Sequence, residues 1–158
     1  MNTGSERGIA LALAIFALAI IGALVGATFF GGRVEQQSGL NTLFLAQARE
    51  AAEAGLAGAI ATADPGVLEA MAAGGAPLSL GSVEVTSGLS ASRQVAKLTS
   101  TLFLVRAEGV RHGADGTPLA TRTLGTIVRL TPTSEPADST AAGATALQRV
   151  ERGWIQLY

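Results

Sequence analysis

The amino-terminal third of the chain carries two different patterns of hydrophobic and polar positions. From Ile9 to Phe30 no residue is charged, and the strongest polar group is the Thr28 hydroxyl. As an α-helix, residues 9–32 would extend about 36 Å, which exceeds the bilayer hydrocarbon core of about 30 Å. This apolar run is open to three interpretations: a removed secretory signal, a permanent membrane anchor, or an assembly helix that sits in a membrane only temporarily.

The length of the run and its leader argue against a removed signal. A secretory signal has a basic leader and an apolar core of about 7–15 residues before its cleavage site. Here Glu6 and Arg7 cancel in the leader, and the apolar run is longer than such a core. A single-pass anchor with a short cytoplasmic leader is therefore the simplest interpretation of the run taken alone.

Small residues recur within the run at four-residue spacing. Gly22 and Gly26 form a GxxxG pattern, and Ala19, Ala23 and Ala27 lie on an adjacent helix face. Small residues at this spacing let helix backbones approach closely. An alanine-rich helix produces some such matches by composition alone. The sharper hypothesis is that this helix packs against copies of itself or against related helices.

Residues 33–63 continue as a helix with a different pattern, in which apolar positions recur every three or four residues. The predicted apolar face consists of Leu40, Leu43, Phe44, Gln47, Ala51 and Ala54. Gly31, Gly32 and Gly39 weaken the helix locally, by about 1 kcal/mol each relative to alanine. The sequence "ADPG" at 63–66 is a stop signal. We predict one helix from about Ile9 to Ala63, whose second half packs on another part of the chain.

The rest of the chain, residues 64–158, is predicted to form a small β-sheet domain. Residues 64–81 have the pattern of a connector with a helical turn at Val67 to Ala72. Strands are predicted at 82–87, 100–110, 119–130 and in the last residues from 146, with an Asp-Gly turn inside 112–117 and a loop at 131–146. The predicted fold class is α+β: a long N-terminal helix packed by a small antiparallel sheet.

Composition removes several classes of function. The absence of cysteine excludes disulfides, thiol catalysis and cysteine metal sites. A net charge of −1 and 4% aromatic residues do not favour nucleic acid as the main partner. His112, beside Asp115, is interpreted as a solvated loop histidine, and Glu50 and Glu53 as part of a solvated face near Arg49. We predict no catalytic residue, metal or cofactor, and a protein that is not an enzyme.

The order of these features resembles the amino-terminal segment of type IV pilin-like proteins, most closely the PilX-type minor pilins. An Arg-Gly pair precedes an uncharged helix, and "AREAAEAGL" follows at Ala48 to Leu56. The similarity covers about residues 7–59. Its family-like helix positions are Glu35, Asn41, Ala51, Ala52, Glu53, Ala54, Gly55 and Leu56.

The resemblance implies how the chain would be processed and assembled. A prepilin peptidase would remove residues 1–8 by cutting after Gly8, and the new terminal Ile9 would be N-methylated. Residues 9–32 would anchor the mature subunit in the bacterial inner membrane and later lie in the core of an extracellular filament. The partners would be other pilin subunits or copies of the same chain.

One position departs from the family pattern. Most pilins carry a glutamate five residues into the mature chain, and this chain has Leu13 there. The departure favours a minor or tip-associated subunit over a major one. The alternative is a single-pass membrane protein with a small extracytoplasmic binding domain. The filament system is left open among adhesion, twitching, DNA uptake and secretion.

Overall fold

The computed structural model describes the backbone of residues 3–132 and 145–157, and the side chains of residues 9–131 and 147–150. In that part of the chain two helices precede five strands. The elements are α1 (Thr3–Thr62), α2 (Pro65–Ala70), β1 (Leu78–Thr86), β2 (Leu89–Lys97), β3 (Leu102–His112), β4 (Pro118–Pro132) and β5 (Thr145–Leu157). The fold class is α+β, as predicted, with a long N-terminal helix and a sheet that packs against it.

Helix α1 begins earlier than predicted. It starts at Thr3 rather than Ile9 and continues without interruption to Thr62. No proline lies in this range, so nothing removes a helical N–H or clashes with the preceding turn. The chain divides into two compact units, Met1–Thr42 and Leu43–Tyr158.

The end of α1 lies where the sequence predicts it. The Ala63 N–H still donates to the Ala59 carbonyl at 3.0 Å, and Asp64 then caps α2 by accepting from the Gly66 N–H at 2.8 Å. Pro65 occupies the first turn of α2, where its missing N–H costs no hydrogen bond. The predicted helical turn is thus present, two residues earlier than expected.

The five strands form one antiparallel sheet in the order β1-β2-β3-β4-β5. The predicted Asp-Gly turn joins β3 to β4: Gly116 has φ +81° and its N–H donates to the Gly113 carbonyl at 3.0 Å. Strands β4 and β5 reach Pro132 and Thr145, so both ends of the predicted loop at 131–146 are strand. The part of that loop at 133–144 lies outside the described residues.

Strand β2 was not predicted. Its helix-facing positions alternate apolar and cationic residues, from Ala91 and Arg93 to Val95 and Lys97. Only Val95 among them is a large apolar residue, so the period-2 signal of a half-buried strand is weak. The strand forms because β3 supplies nine consecutive register partners on one side and β1 covers its other edge.

Residues 43–62 of α1 cover one face of the sheet with mostly small side chains. The fully buried helix residues are Ala48, Ala51, Ala52, Leu56 and Ala59. Facing them, the sheet contributes Ala91, Val95, Phe103, Val105, Ala107, Leu124, Val128 and Leu130. This core corrects the predicted apolar face: Ala51 belongs to it, but Leu40, Leu43 and Ala54 are exposed and Phe44 and Gln47 only half-buried. The buried face is the one with the smallest side chains, because it allows the closest approach of helix to sheet.

Lys97 is the one buried cation of this core among the described side chains, at 9% exposure. Its Nζ donates to the Glu69 carbonyl at 2.6 Å and to the Leu68 carbonyl at 3.4 Å, and lies 5.7 Å from the centroid of the Phe103 ring. Lys97 therefore caps the end of α2: it supplies a donor to the Glu69 carbonyl and a second donor to the Leu68 carbonyl, which also accepts from the Met71 N–H at 3.3 Å.

Candidate functional site

The apolar half of α1, residues 9–32, is exposed along its whole length in the single chain. Its large hydrophobic side chains are between 45% (Ile20) and 73% (Phe29) exposed. A contiguous apolar surface of this kind is unfavourable in water and marks a surface that binds lipid or protein. Among the described residues, this is the one helix long and apolar enough to cross a membrane.

The polar groups of this half are satisfied internally. Thr28 carries the only side-chain hydroxyl between Ile9 and Phe30, and it donates to the Val25 carbonyl at 2.8 Å. Backbone groups inside the helix bond one another. Since unsatisfied polar groups are costly in hydrocarbon, the segment meets the main requirement for burial in a bilayer.

The predicted packing residues form an open surface on this helix. A Cβ built on Gly22 or Gly26 would meet nothing within 4 Å, and Ala19, Ala23 and Ala27 on the neighbouring face are exposed. No described side chain covers the backbone at the two glycines. Another helix can therefore approach them closely without displacing anything in this chain.

The predicted leader junction lies inside a helix. Gly8 and Ile9 both have helical backbone, and Ile9 is largely exposed. Proteases act on locally opened chain, so cleavage after Gly8 requires the first turns of α1 to unwind. Helix ends fray readily, and Gly8 lies in the second turn of α1.

The family-like segment divides between exposed and buried positions. Glu35, Asn41 and Ala54 are exposed, and Glu53 forms a 2.9 Å ion pair with Arg49. The remaining positions, Ala51, Ala52, Gly55 and Leu56, are buried against the sheet. Most of the "AAEAGL" sequence is thus explained by packing within this chain.

Gly55 shows why that segment is made of small residues. A Cβ on Gly55 would lie 2.7 Å from the Ala91 Cβ and 3.2 Å from the Ala107 Cβ. Both distances are shorter than ordinary carbon contacts. The glycine therefore sets how closely α1 can lie on strands β2 and β3.

The carboxylates interpreted as solvated lie where the sequence predicts. Glu50 is exposed, and Glu53 pairs with Arg49 across one helical turn. An exposed ion pair of this kind contributes little to stability.

His112 differs from its prediction as a solvated loop residue. It is the last residue of β3 and half-buried, with its Nε2 2.8 Å from the Ser90 Oγ and its Nδ1 3.2 Å from the Gly116 carbonyl oxygen. Sequence reasoning missed the Ser90 partner because it lies 22 residues away in the strand that was not predicted. The described residues contain no cluster of three or more histidine or acidic side chains that would hold a metal.

A cleft of about 640 Å³ lies beside this pair, between the β1–β2 turn and the β3–β4 turn. Its walls include Glu84, Ser87, Ser90, Arg111 and His112. The guanidinium Nη1 of Arg111 donates to the Gly88 carbonyl at 3.0 Å. The cleft is thus lined by an acidic side chain, a basic side chain and several hydroxyls. These residues come from two segments that are far apart in the sequence, so their spacing could not predict that they lie together.

No family model, curated protein or solved structure matches this chain.

Proposed function

We propose that the protein is a structural subunit, a minor pilin, of a type IV pilus-like filament, held in the inner membrane before assembly. The observation that carries the proposal is the exposed, uncharged surface of residues 9–32, on the same continuous helix whose residues 43–62 pack on a sheet domain. The mechanism is physical: the helix is exchanged from lipid to a bundle of like helices.

The membrane stage follows from burial of the apolar side chains. Lipid removes them from water at a gain of roughly 25 cal/mol per Å² of apolar surface. Transfer from lipid to a filament core brings no further hydrophobic gain, because lipid tails are as apolar as leucine. Close packing must drive that second step, and the uncovered backbone at Gly22 and Gly26 supports it.

The position of Leu13 supports a minor role. Its side chain is apolar and exposed, and residues 9–32 carry no charged side chain. Residues 9–32 therefore supply no carboxylate for a buried ion pair with the amino terminus of a neighbour, a contact that would fix the register of packed helices. A low-copy or tip-associated subunit needs that contact less than a repeating one.

The leader provides the direct test. Filaments sheared from cells expressing the full chain are analysed by mass spectrometry of the subunit's amino terminus. We expect the chain to begin at N-methylated Ile9. The variant Gly8→Val should keep its leader and stay out of the filament, whereas the control Gly4→Val should be processed normally. An intact Met1–Gly8 leader in assembled wild-type subunits contradicts the proposal.

The second candidate is a single-pass membrane protein with a small extracytoplasmic binding domain. The cleft of about 640 Å³ on the sheet domain favours it, since ligand sites are typically clefts of this size. Shearing separates the two functions: it releases a filament subunit into the medium and leaves an anchored monomer in the membrane fraction.

A further inference from the structure

The pair Ser90 and His112 has defined proton positions. A carbonyl oxygen only accepts hydrogen bonds, so His112 Nδ1 must carry the proton that it shares with the Gly116 carbonyl at 3.2 Å. In the neutral imidazole, Nε2 then holds a lone pair. The Ser90 hydroxyl, 2.8 Å away, donates its proton to that lone pair.

This arrangement is that of a serine with its general base. An activated nucleophile lies within hydrogen-bond reach of a base, and a third group orients the base. Here the Ser90 Oγ is the nucleophile, His112 Nε2 is the base and the Gly116 carbonyl is the orienting group. Both side chains are only partly buried and line the cleft of about 640 Å³, so a substrate can reach them.

We propose that Ser90 and His112 form a catalytic dyad that cleaves esters in this cleft. This activity is separate from the filament role and does not rest on it, and it departs from the prediction, made from sequence, that the chain has no catalytic residue. The Ser90 Oγ attacks the ester carbonyl carbon and its proton passes to His112 Nε2. The bond to the leaving alcohol breaks, His112 protonates the departing oxygen, and an acyl-serine remains. Water then attacks the acyl carbon, giving its proton to His112, which returns it to Ser90 as the carboxylic acid leaves.

The charges of the cleft select the substrate class. Glu84 is the direct cross-strand partner of Ser90 on the same face of the sheet, so its carboxylate disfavours anionic substrates. Arg111 also lines the cleft, but its guanidinium Nη1 donates to the Gly88 carbonyl at 3.0 Å, which leaves the carboxylate of Glu84 as the charge beside Ser90. Neutral esters therefore fit better than anionic ones.

The orienting group also limits the rate. A buried carboxylate in this position stabilises the imidazolium that forms, and disabling it in serine proteases costs about 10⁴-fold in turnover. A carbonyl dipole at 3.2 Å fixes the tautomer without supplying a full negative charge. We expect slow turnover of activated esters and a readily trapped acyl-serine.

The test uses a neutral fluorophosphonate probe on the full chain in detergent micelles. The Ser90 Oγ bonds to phosphorus, fluoride leaves and the serine proton passes to His112. Peptide mass spectrometry should find the adduct at Ser90 and not at Ser82, a cleft serine for which the structure gives no histidine partner. The expected effects are loss of the adduct in Ser90→Ala and a fall in its rate of at least about 10²-fold in His112→Gln.

Two controls keep the outcome decisive. Ser100→Ala, an exposed serine outside the cleft, should label like the wild type, and thermal unfolding shows whether each variant is folded. If His112→Gln unfolds, the proposal is tested by the wild type alone, in which labelling at Ser90 should exceed labelling at Ser82. Equal labelling of the two serines, or an unchanged rate in a folded His112→Gln variant, overturns the proposal and leaves the pair a structural contact.

Discussion

Gly109 of β3 lies directly beneath the α1 backbone at Ala48, with no side chain between strand and helix. A Cβ built at Gly109 would collide with the Ala48 carbonyl oxygen and the Ala52 nitrogen, both of which belong to the helix backbone. A flexible side chain could turn away from such a collision, but a helix backbone cannot. The closest approach of helix to sheet in this core therefore depends on glycine at this position.

Replacing Gly109 with alanine should lower the free energy of unfolding by about 1–3 kcal/mol, the usual cost of overpacking a core. Urea unfolding of the full chain in detergent, followed through the single tryptophan, measures it. The matched control is Gly39→Ala, whose Cβ would meet nothing within 4 Å. It lies in a helix interior and should be neutral or stabilising by up to about 1 kcal/mol. Equal stability of the Gly109→Ala variant and the wild type would contradict this account.

The variant Lys97→Met should also destabilise the sheet domain. Methionine keeps the apolar stem over Phe103 but leaves the Leu68 and Glu69 carbonyls without the Nζ donor. Loss of a hydrogen-bond partner at a buried site costs about 1–3 kcal/mol. Arg129→Met, an exposed cation on β4, should change stability by less than about 0.5 kcal/mol. A loss no larger than that of the control would show that Lys97 contributes only its stem.

Asp115 should make stability depend on pH in the acid range. The Thr117 hydroxyl, at 2.7 Å, and then the Thr117 N–H, at 3.1 Å, hold the pKa of the Asp115 carboxyl below its ordinary 3.8. A carboxyl with a lowered pKa in the folded state stabilises that state above its unfolded pKa, and this contribution is lost as pH falls through the folded value.

The stability difference between wild type and Asp115→Asn should therefore be constant from neutral pH down to about pH 4, and should shrink below it. Urea midpoints between pH 7 and pH 2 measure the difference. Thr117→Val removes the hydroxyl, the larger cause of the shift, and should bring the Asp115 pKa, read by NMR titration, closer to its ordinary value. A difference that stays constant through the acid range would mean that the carboxylate has no preferred partner in the turn.

Local signals in the sequence were enough to predict the helix, its stop and most of the sheet. The uncharged run and the "ADPG" stop act over a few residues, and so does the turn at Asp115 and Gly116, which the structure confirms. Strand β2 was not predicted from the sequence because its inward positions include Arg93 and Lys97. The burial of these two side chains depends on hydrogen bonds to carbonyls in distant segments. Such a strand has no hydrophobic alternation of its own to recognise.

The apolar half of α1 and the pair Ser90 and His112 differ in how far the sequence alone could predict them. The apolar half of α1 could be predicted from composition alone, because residues 9–30 carry no charge. The structure leaves its large side chains exposed. The pair Ser90 and His112 depends on strand register, which places residue 90 diagonally across from residue 112. Register is set by the packing of the whole sheet, so a search for local motifs could not find this pair.

The variant Gly22→Leu tests whether the small residues of the apolar half make close helix contacts. Leucine adds a branched side chain where the backbone is now open, which should separate packed helices while making the segment no less apolar. We expect the variant to insert into the membrane as the wild type does and to be depleted several-fold from sheared filaments. Membrane fractionation and immunoblotting of the sheared material measure the two steps separately.

The matched control for that variant is Ala17→Leu. At about 100° per residue, position 17 lies on the opposite side of the helix from the surface formed by the five small residues, Ala19, Gly22, Ala23, Gly26 and Ala27. It receives a similar increase in bulk without covering that surface, so filament yield should be unchanged. Equal losses in both variants would mean that filament packing responds to bulk anywhere on the helix. Unchanged yield in Gly22→Leu would remove Gly22 from the packing surface, and the contacts between subunits would then have to lie on another face of residues 9–32.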